Sequence, residues 1–189
     1  MFTKFIEEFL SKEECDYLIK LGESKNLIDM KSSKFLNEKI INQNLEYVGN
    51  KRKGCYFINE TLEDEFIISL TNKIINISNN TTPFKSIKYE NVLKYSFNKY
   101  SNGDFLNWHE DKHEIMGGAT ITIILQLNDN YEGGYVKYLI DGVENTLPKK
   151  RGSIFLFDSN ISHFVDVIEL GNRYSINAWP TSIKSKTLI

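Results

Sequence analysis

Proline, cysteine and histidine are scarce in this chain, at three, two and three of its 189 residues. So few prolines exclude a Pro-rich linker or a polyproline spacer. Cys15 and Cys55 stand far apart without metal-type spacing, which excludes a disulfide framework and fits reduced, buried thiols. Neither sign of charge dominates: a formal net charge of -2 gives no field that would gather nucleic acid or anionic lipid. No apolar run reaches the roughly 20 residues that span a bilayer. The start of the chain, Met1-Phe2-Thr3-Lys4-Phe5-Ile6-Glu7-Glu8, puts two acids where a secretory apolar core would lie. The expected location is therefore cytoplasmic, with no membrane partner. Repeats, low-complexity stretches and interdomain linkers are also missing. With 41% apolar and 25% charged residues, the chain suits one soluble domain over 1–189, large enough to bury a core without staples.

With only three histidines, their placement carries weight. His109-Glu110-Asp111 puts an imidazole and a carboxylate on one side of an extended chain, because residues two apart point the same way. His163, brought in from a distant strand, would complete a 2-His-1-carboxylate face, the set that holds iron with positions open for substrate and dioxygen. The same segment continues to His113 and also spells H-E-x-x-H, in which two histidines on one helical face hold zinc and Glu110 acts as general base. The two readings differ physically. The first needs 109–111 extended; the second needs 109–113 helical, in a helix over 105–116 capped by Asp104 and ended by Gly117.

Along the chain, Ser11-Lys12-Glu13-Glu14 is a capping box, so a helix should start at Lys12, present Cys15, Leu18 and Ile19 to a core, and end at Gly22 or the polar run after it. A second helix is expected from the helical spacing of Leu62, Phe66, Ile67, Leu70, Ile74 and Ile75, capped by Thr61 with Asp64 and ended at Asn79-Asn80. Residues 25–60 and 79–90 show no clear period, and Lys51-Arg52-Lys53-Gly54 reads as a basic turn, solvated or in contact with an acidic ligand. From Val92 on the pattern changes. Val92 to Tyr100, Thr120 to Leu127, Tyr135 to Ile140, Ser153 to Phe157, His163 to Ile168 and Arg173 to Trp179 are β-rich segments. They are punctuated by Gly133-Gly134, Asp141-Gly142, Gly152 and Gly171-Asn172. The expected fold is mainly β with α (α+β): a two-sheet antiparallel jelly roll over about 91–180, with the helices of about 1–90 packed on one sheet.

Several spaced elements together resemble the prolyl 4-hydroxylase-like branch of the Fe(II)/2-oxoglutarate dioxygenases. They are Tyr100-Ser101-Asn102-Gly103, His109-x-Asp111, Asn128, Glu132-Gly133-Gly134, Lys150-Arg151-Gly152-Ser153 leading to Phe157, His163, and Gly171 through Trp179. Phe9-Leu10-Ser11 through Cys15 resembles that branch's first helix. The likeness covers roughly 5–20 and 92–180. It implies a double-stranded β-helix, with His109, Asp111 and His163 as ligands of Fe(II). It implies 2-oxoglutarate and O2 as cosubstrates, with ascorbate as an accessory small molecule. Arg173, ten residues past His163, would pair with the distal carboxylate of 2-oxoglutarate. Ser175 on the same strand face would add a hydroxyl, and Tyr100 would stand near the cosubstrate. Trp179 matches a tryptophan that closes this strand, and His113 falls near the mouth of the site.

The implied reaction couples oxidative decarboxylation of 2-oxoglutarate, to succinate and CO2, with hydroxylation of a substrate C–H. A prolyl residue of a peptide or protein is the first substrate to expect; a free amino acid, another protein side chain or a nucleobase are the alternatives. The chain departs from its relatives in places. Collagen-type enzymes carry Lys where Arg173 stands, whereas oxygen-sensing and many microbial relatives carry Arg. Leu125 occupies a position where some relatives place Tyr or Thr on the cosubstrate. Alkylated-nucleobase demethylases of the superfamily carry a second Arg six residues after the first, and here that residue is Trp179, which disfavours nucleic acid. A zinc metallopeptidase leaves His163, Arg173 and Ser175 without a task. A metal-binding barrel without turnover remains a different class, separated from an enzyme by succinate release. Oligomeric state is not legible.

Overall fold

The computed structural model describes residues 1–30, 51–57, 62–81, 83, 87–111 and 120–182. Two antiparallel sheets make a jelly-roll-like sandwich. The large sheet has the strand order β1 (Thr3–Ile6), β10 (Ile154–Asp158), β6 (Ile121–Gln126), β13 (Arg173–Thr181), β4 (Asn91–Tyr100), β3 (Lys53–Phe57) and β2 (Ile28–Asp29). The small sheet runs β5 (Leu106–His109), β11 (His163–Val165), β8 (Val136–Ile140) and β9 (Val143–Thr146). A short ladder pairs β12 (Ile168–Leu170) with β7 (Glu132–Gly133). The β8–β9 hairpin closes on Asp141-Gly142, both at positive φ (49° and 80°), which matches the right-handed twist of the flanking strands.

Alternation divides the large sheet into two faces. Tyr95, Phe97, Ile121, Ile123, Leu125, Ile154, Leu156, Ile176 and Ala178 share one buried cluster with Leu18 of α1 (Lys12–Glu23) and Ile67, Leu70 and Ile74 of α2 (Glu65–Thr81). Each such side chain contributes about 1.5–3 kcal/mol relative to exposure. The other face points toward the small sheet. There Ile124, Phe155, Phe157 and Tyr100 meet Leu106, Val136 and Val165.

The capping box forms: Glu14 N–H donates to Ser11 Oγ and Ser11 N–H to Glu14 Oε2. Gly22 does not end α1. It lies buried inside the helix, where a Cβ would meet the Phe97 ring at 2.4 Å, so the missing side chain sets how closely α1 approaches β4. The helix ends at Ser24. α2 starts later than the apolar spacing indicates, at Glu65, because Asp64 Oδ1 accepts from the N–H groups of Phe66 and Ile67, and Leu62 stays 41% exposed. Thr61 lies outside the described residues. The first third of the chain also holds strands that local pattern does not reveal: β1 pairs with β10 and β3 with β4, so both are integral to the large sheet.

Candidate functional site

β5 and β11 are neighbours in the small sheet, and their register sets His163 opposite His109 with ring centroids 4.1 Å apart. β5 ends at His109, and two residues on Asp111 N–H donates to the Ser159 carbonyl at 3.0 Å, which turns the carboxylate back toward both rings. His109 Nε2 lies 3.5 Å from Asp111 Oδ1, and His163 Nε2 lies 3.7 Å from Asp111 Oδ2. Ligand atoms of all three fall within 4.8 Å of one another. An H-E-x-x-H zinc helix is contradicted here, because 106–109 form a strand; His113 lies outside the described residues.

Both rings are held in the orientation that ligation requires. His109 Nδ1 donates to the Asn107 carbonyl at 2.8 Å and His163 Nδ1 to the Ile161 carbonyl at 3.0 Å. A carbonyl can only accept, so the proton belongs on each Nδ1 and the lone pair on each Nε2 faces Asp111. Burial works to raise the Asp111 pKa, but His163, His109 and the Thr122 hydroxyl hold the carboxyl below the ordinary carboxylate range. Burial, with the His109 charge behind it, pushes His163 down to about 4. The resting set at neutral pH is one carboxylate and buried neutral imidazole, the protonation state a divalent metal binds. Asp111 Oδ2 and His163 Nε2 are buried and have no hydrogen-bond partner among the described residues. Such orphaned atoms are costly unless a cation satisfies them, and the donor set is that of non-haem Fe(II).

A second group sits on the inner face of the large sheet. Arg173 is only 1% exposed, and its guanidinium reaches Ser175 Oγ from Nη1 at 3.0 Å and Gln126 Oε1 from Nη2 at 3.1 Å. Its Cζ lies 5.2 Å from the centroid of the Tyr100 ring, on the residue that pairs with Arg173 across β4. Arg173 Nε has no partner, and no carboxylate lies within ion-pair distance of this cation among the described residues. A buried guanidinium with neutral partners alone is an unbalanced charge, which argues for an anionic ligand.

Gln126 was not legible as a site residue. It accepts from Arg173 while donating to the Asn128 carbonyl and the Tyr131 hydroxyl, so it orients the cation from beneath. The signal was one polar residue inside the otherwise apolar run Ile123–Leu127. Leu125 points the other way, into the cluster with the helices, so no cosubstrate contact comes from that side chain. Trp179 stands one residue beyond the Ala178–Ile123 pair, level with Thr122 at the Asp111 end, and its ring lies 5.5 Å from Lys94 Nζ. Six residues of strand, roughly 20 Å, separate it from Arg173.

Residues 95–181 match the family described as the 2OG-Fe(II) oxygenase superfamily. Over this segment the chain is similar to the 2OG-Fe(II) oxygenases. The oxygenase fold extends beyond it. A prolyl-4-hydroxylase from Pseudomonas putida superposes with a TM-score of 0.69 at 17% identity, covering 96% of this chain and 93% of that one. A 2OG-Fe(II) oxygenase family oxidoreductase from Burkholderia pseudomallei gives 0.74 at 11% identity, covering 97% and 86%. A Trichoplax adhaerens prolyl hydroxylase, solved with a hypoxia inducible factor peptide fragment, gives 0.67 at 18% identity, covering 95% and 83%. No curated protein matches the chain in sequence. The superfamily implies Fe(II), 2-oxoglutarate and O2, and the His109, Asp111, His163 triad fits the iron. Among the described residues no helix is long and apolar enough to cross a membrane.

Proposed function

We propose that the chain is a single-domain oxygenase that hydroxylates a prolyl residue of a peptide or protein, consuming 2-oxoglutarate and releasing succinate and CO2. The observation that carries the chemistry is the pairing of a His-Asp-His triad, with Asp111 Oδ2 and His163 Nε2 unpartnered, with a buried Arg173 on the facing sheet that has no carboxylate among the described residues. Prolyl specificity rests on the kinship of fold with the prolyl hydroxylases named above.

In this reading His109 Nε2, Asp111 and His163 Nε2 hold the iron, which supplies dioxygen activation when bound. Arg173 takes the distal carboxylate of 2-oxoglutarate, and its planar fork suits a bidentate pair worth about 1.5–3 kcal/mol. Ser175 adds a hydroxyl to the same carboxylate, Gln126 keeps the guanidinium from turning away, and Tyr100 walls the pocket. Thr122 near Asp111 and Gln126 near Arg173 lie four residues apart on β6, roughly 13 Å of strand, so the long Arg173 side chain leaves room for a five-carbon dicarboxylate between cation and metal. Phe155 and Phe157 of the inner face exclude water from the reacting centre. The N-terminal helices, on the outer face, stiffen the sheet that carries Arg173.

The test is mass spectrometry of proline-containing peptides incubated with Fe(II), 2-oxoglutarate and air, reading a gain of one oxygen on proline. His163→Ala should abolish it. Oxygen gained only on a free amino acid or another side chain would remove the prolyl assignment and leave the chemistry.

A further inference from the structure

Lys51-Arg52-Lys53-Gly54 is not the turn its sequence suggests: Lys51 bridges to Phe105 and Lys53 opens β3. This basic run has no task in that chemistry, and its three cations meet three different fates. Lys51 pairs with Asp104 at 3.3 Å, and Lys53 alternates to the side of Cys55 and Phe57. Arg52 turns to the inner face. Its backbone is pinned on both sides, by the Lys51–Phe105 bridge and by Met30 N–H donating to the Arg52 carbonyl at 2.9 Å. Its Nε donates to Asn98 Oδ1 at 3.0 Å, and Asn98 is itself buried and tied to the Ser96 carbonyl. Its Cζ lies 6.0 Å from the Tyr100 ring, the same ring that Arg173 faces. Arg52 is half-buried where Arg173 is sealed, and among the described residues it has no carboxylate within ion-pair distance. Its charge reaches the metal triad, where it is one of the influences that lower His163.

The same face continues along β3, β4 and β13 toward Trp179 as a shelf. Lys94 Nζ lies 4.5 Å from the Tyr56 ring centroid and 5.5 Å from that of Trp179, and Tyr56 is 44% exposed. Ser96, Asn98 and Asn177 make a neutral polar floor on neighbouring strands. The shelf thus carries two cations and, among the described residues, no acid.

We propose that Arg52 receives an acidic side chain of the peptide substrate next to the hydroxylated residue. This rests on the peptide-hydroxylase reading and adds to it a substrate class, an acidic peptide. With Nε committed to Asn98, the two Nη groups are left as a fork for a carboxylate. A single-stranded nucleic acid fits less well. Stacking of bases needs a free aromatic face, whereas Lys94 already faces both rings and Trp179 is only 5% exposed.

The experiment is fluorescence anisotropy of labelled proline-containing peptides that differ only in Glu or Asp against Gln or Asn beside the proline. It uses the full chain loaded with Mn(II) and 2-oxoglutarate, at low and at high salt. The acidic peptides should bind about five- to tenfold tighter than their amide counterparts, less so at high salt. That preference should vanish in Arg52→Gln and pass to a lysine-bearing peptide in Arg52→Glu. Thermal unfolding and Mn(II) content of each variant separate a lost contact from a lost fold. Equal binding of acidic and amide peptides, no measurable binding of any acidic peptide, a preference that survives Arg52→Gln, or tighter Arg52-dependent binding of a single-stranded oligonucleotide would each overturn the proposal. If the charge preference holds while no peptide gains oxygen on proline, the prolyl reading falls and this one stands. If hydroxylation proceeds without a charge preference, the reverse is true.

Discussion

Asp111 Oδ2 and His163 Nε2 face each other across 3.7 Å, both buried, and neither has a hydrogen-bond partner among the described residues. A buried carboxylate oxygen left without a donor is expensive, and a neutral imidazole whose lone pair faces it cannot relieve it. Cost of this kind is retained where a cation takes both lone pairs.

Metal content should therefore depend on His163 and not on His113. His163→Ala should lose most of the bound Fe(II), while His113→Ala should keep it. The zinc-peptidase alternative requires the opposite order. Metal analysis of the two purified variants separates them.

Acidification should weaken the metal-free protein. The His163 pKa falls from 6.5 in the unfolded chain to about 4 in the fold, so between those values the unfolded state binds more protons and stability rises with pH. Moving from about pH 6.5 to about pH 4 should cost about 2–3 kcal/mol through this group. Asp111 acts in the same direction at lower pH, since a carboxyl held below its ordinary range loses its contribution as it protonates. Urea unfolding midpoints at pH 7 and 4.5 should differ more for the wild type than for His163→Gln; an equal difference would remove this group from the pH dependence.

Gly22→Ala should destabilise the protein by about 1–3 kcal/mol, because the added Cβ collides with the Phe97 ring at 2.4 Å in a buried helix face. Helix propensity alone would favour Ala by about 1 kcal/mol. A lower midpoint in denaturant therefore reports packing, and a raised one would show that α1 can move off β4.

Legibility followed the range of the physics. α1 is written in four adjacent residues, Ser11 to Glu14, and its cap forms from them. The strands from β4 onward carry dense β-branched and aromatic runs. β3 carries no such signal: Lys51-Arg52-Lys53-Gly54 reads as a basic turn, and only pairing with β4, some forty residues away, makes a strand from Lys53 on. The same long-range pairing brings Arg52 onto Asn98, a contact no local pattern contains. Arg173 and the triad stood out as candidates through spacing and resemblance, whereas Gln126, which hydrogen-bonds Arg173, needed the β6–β13 register to be seen.

The most direct measurement is equilibrium binding of 2-oxoglutarate to the Fe(II)-loaded chain without dioxygen, in wild type, Arg173→Lys, Arg173→Leu and His163→Ala. A dicarboxylate that spans metal and guanidinium should bind at least about tenfold more weakly once Arg173 becomes Leu, with iron still bound, since a charge-assisted pair of about 1.4 kcal/mol or more is lost. Arg173→Lys should fall between, keeping the charge without the fork. His163→Ala should lose the metal and the tight binding together. Affinity unchanged in Arg173→Leu, or 2-oxoglutarate binding as tight without metal as with it, would contradict the account.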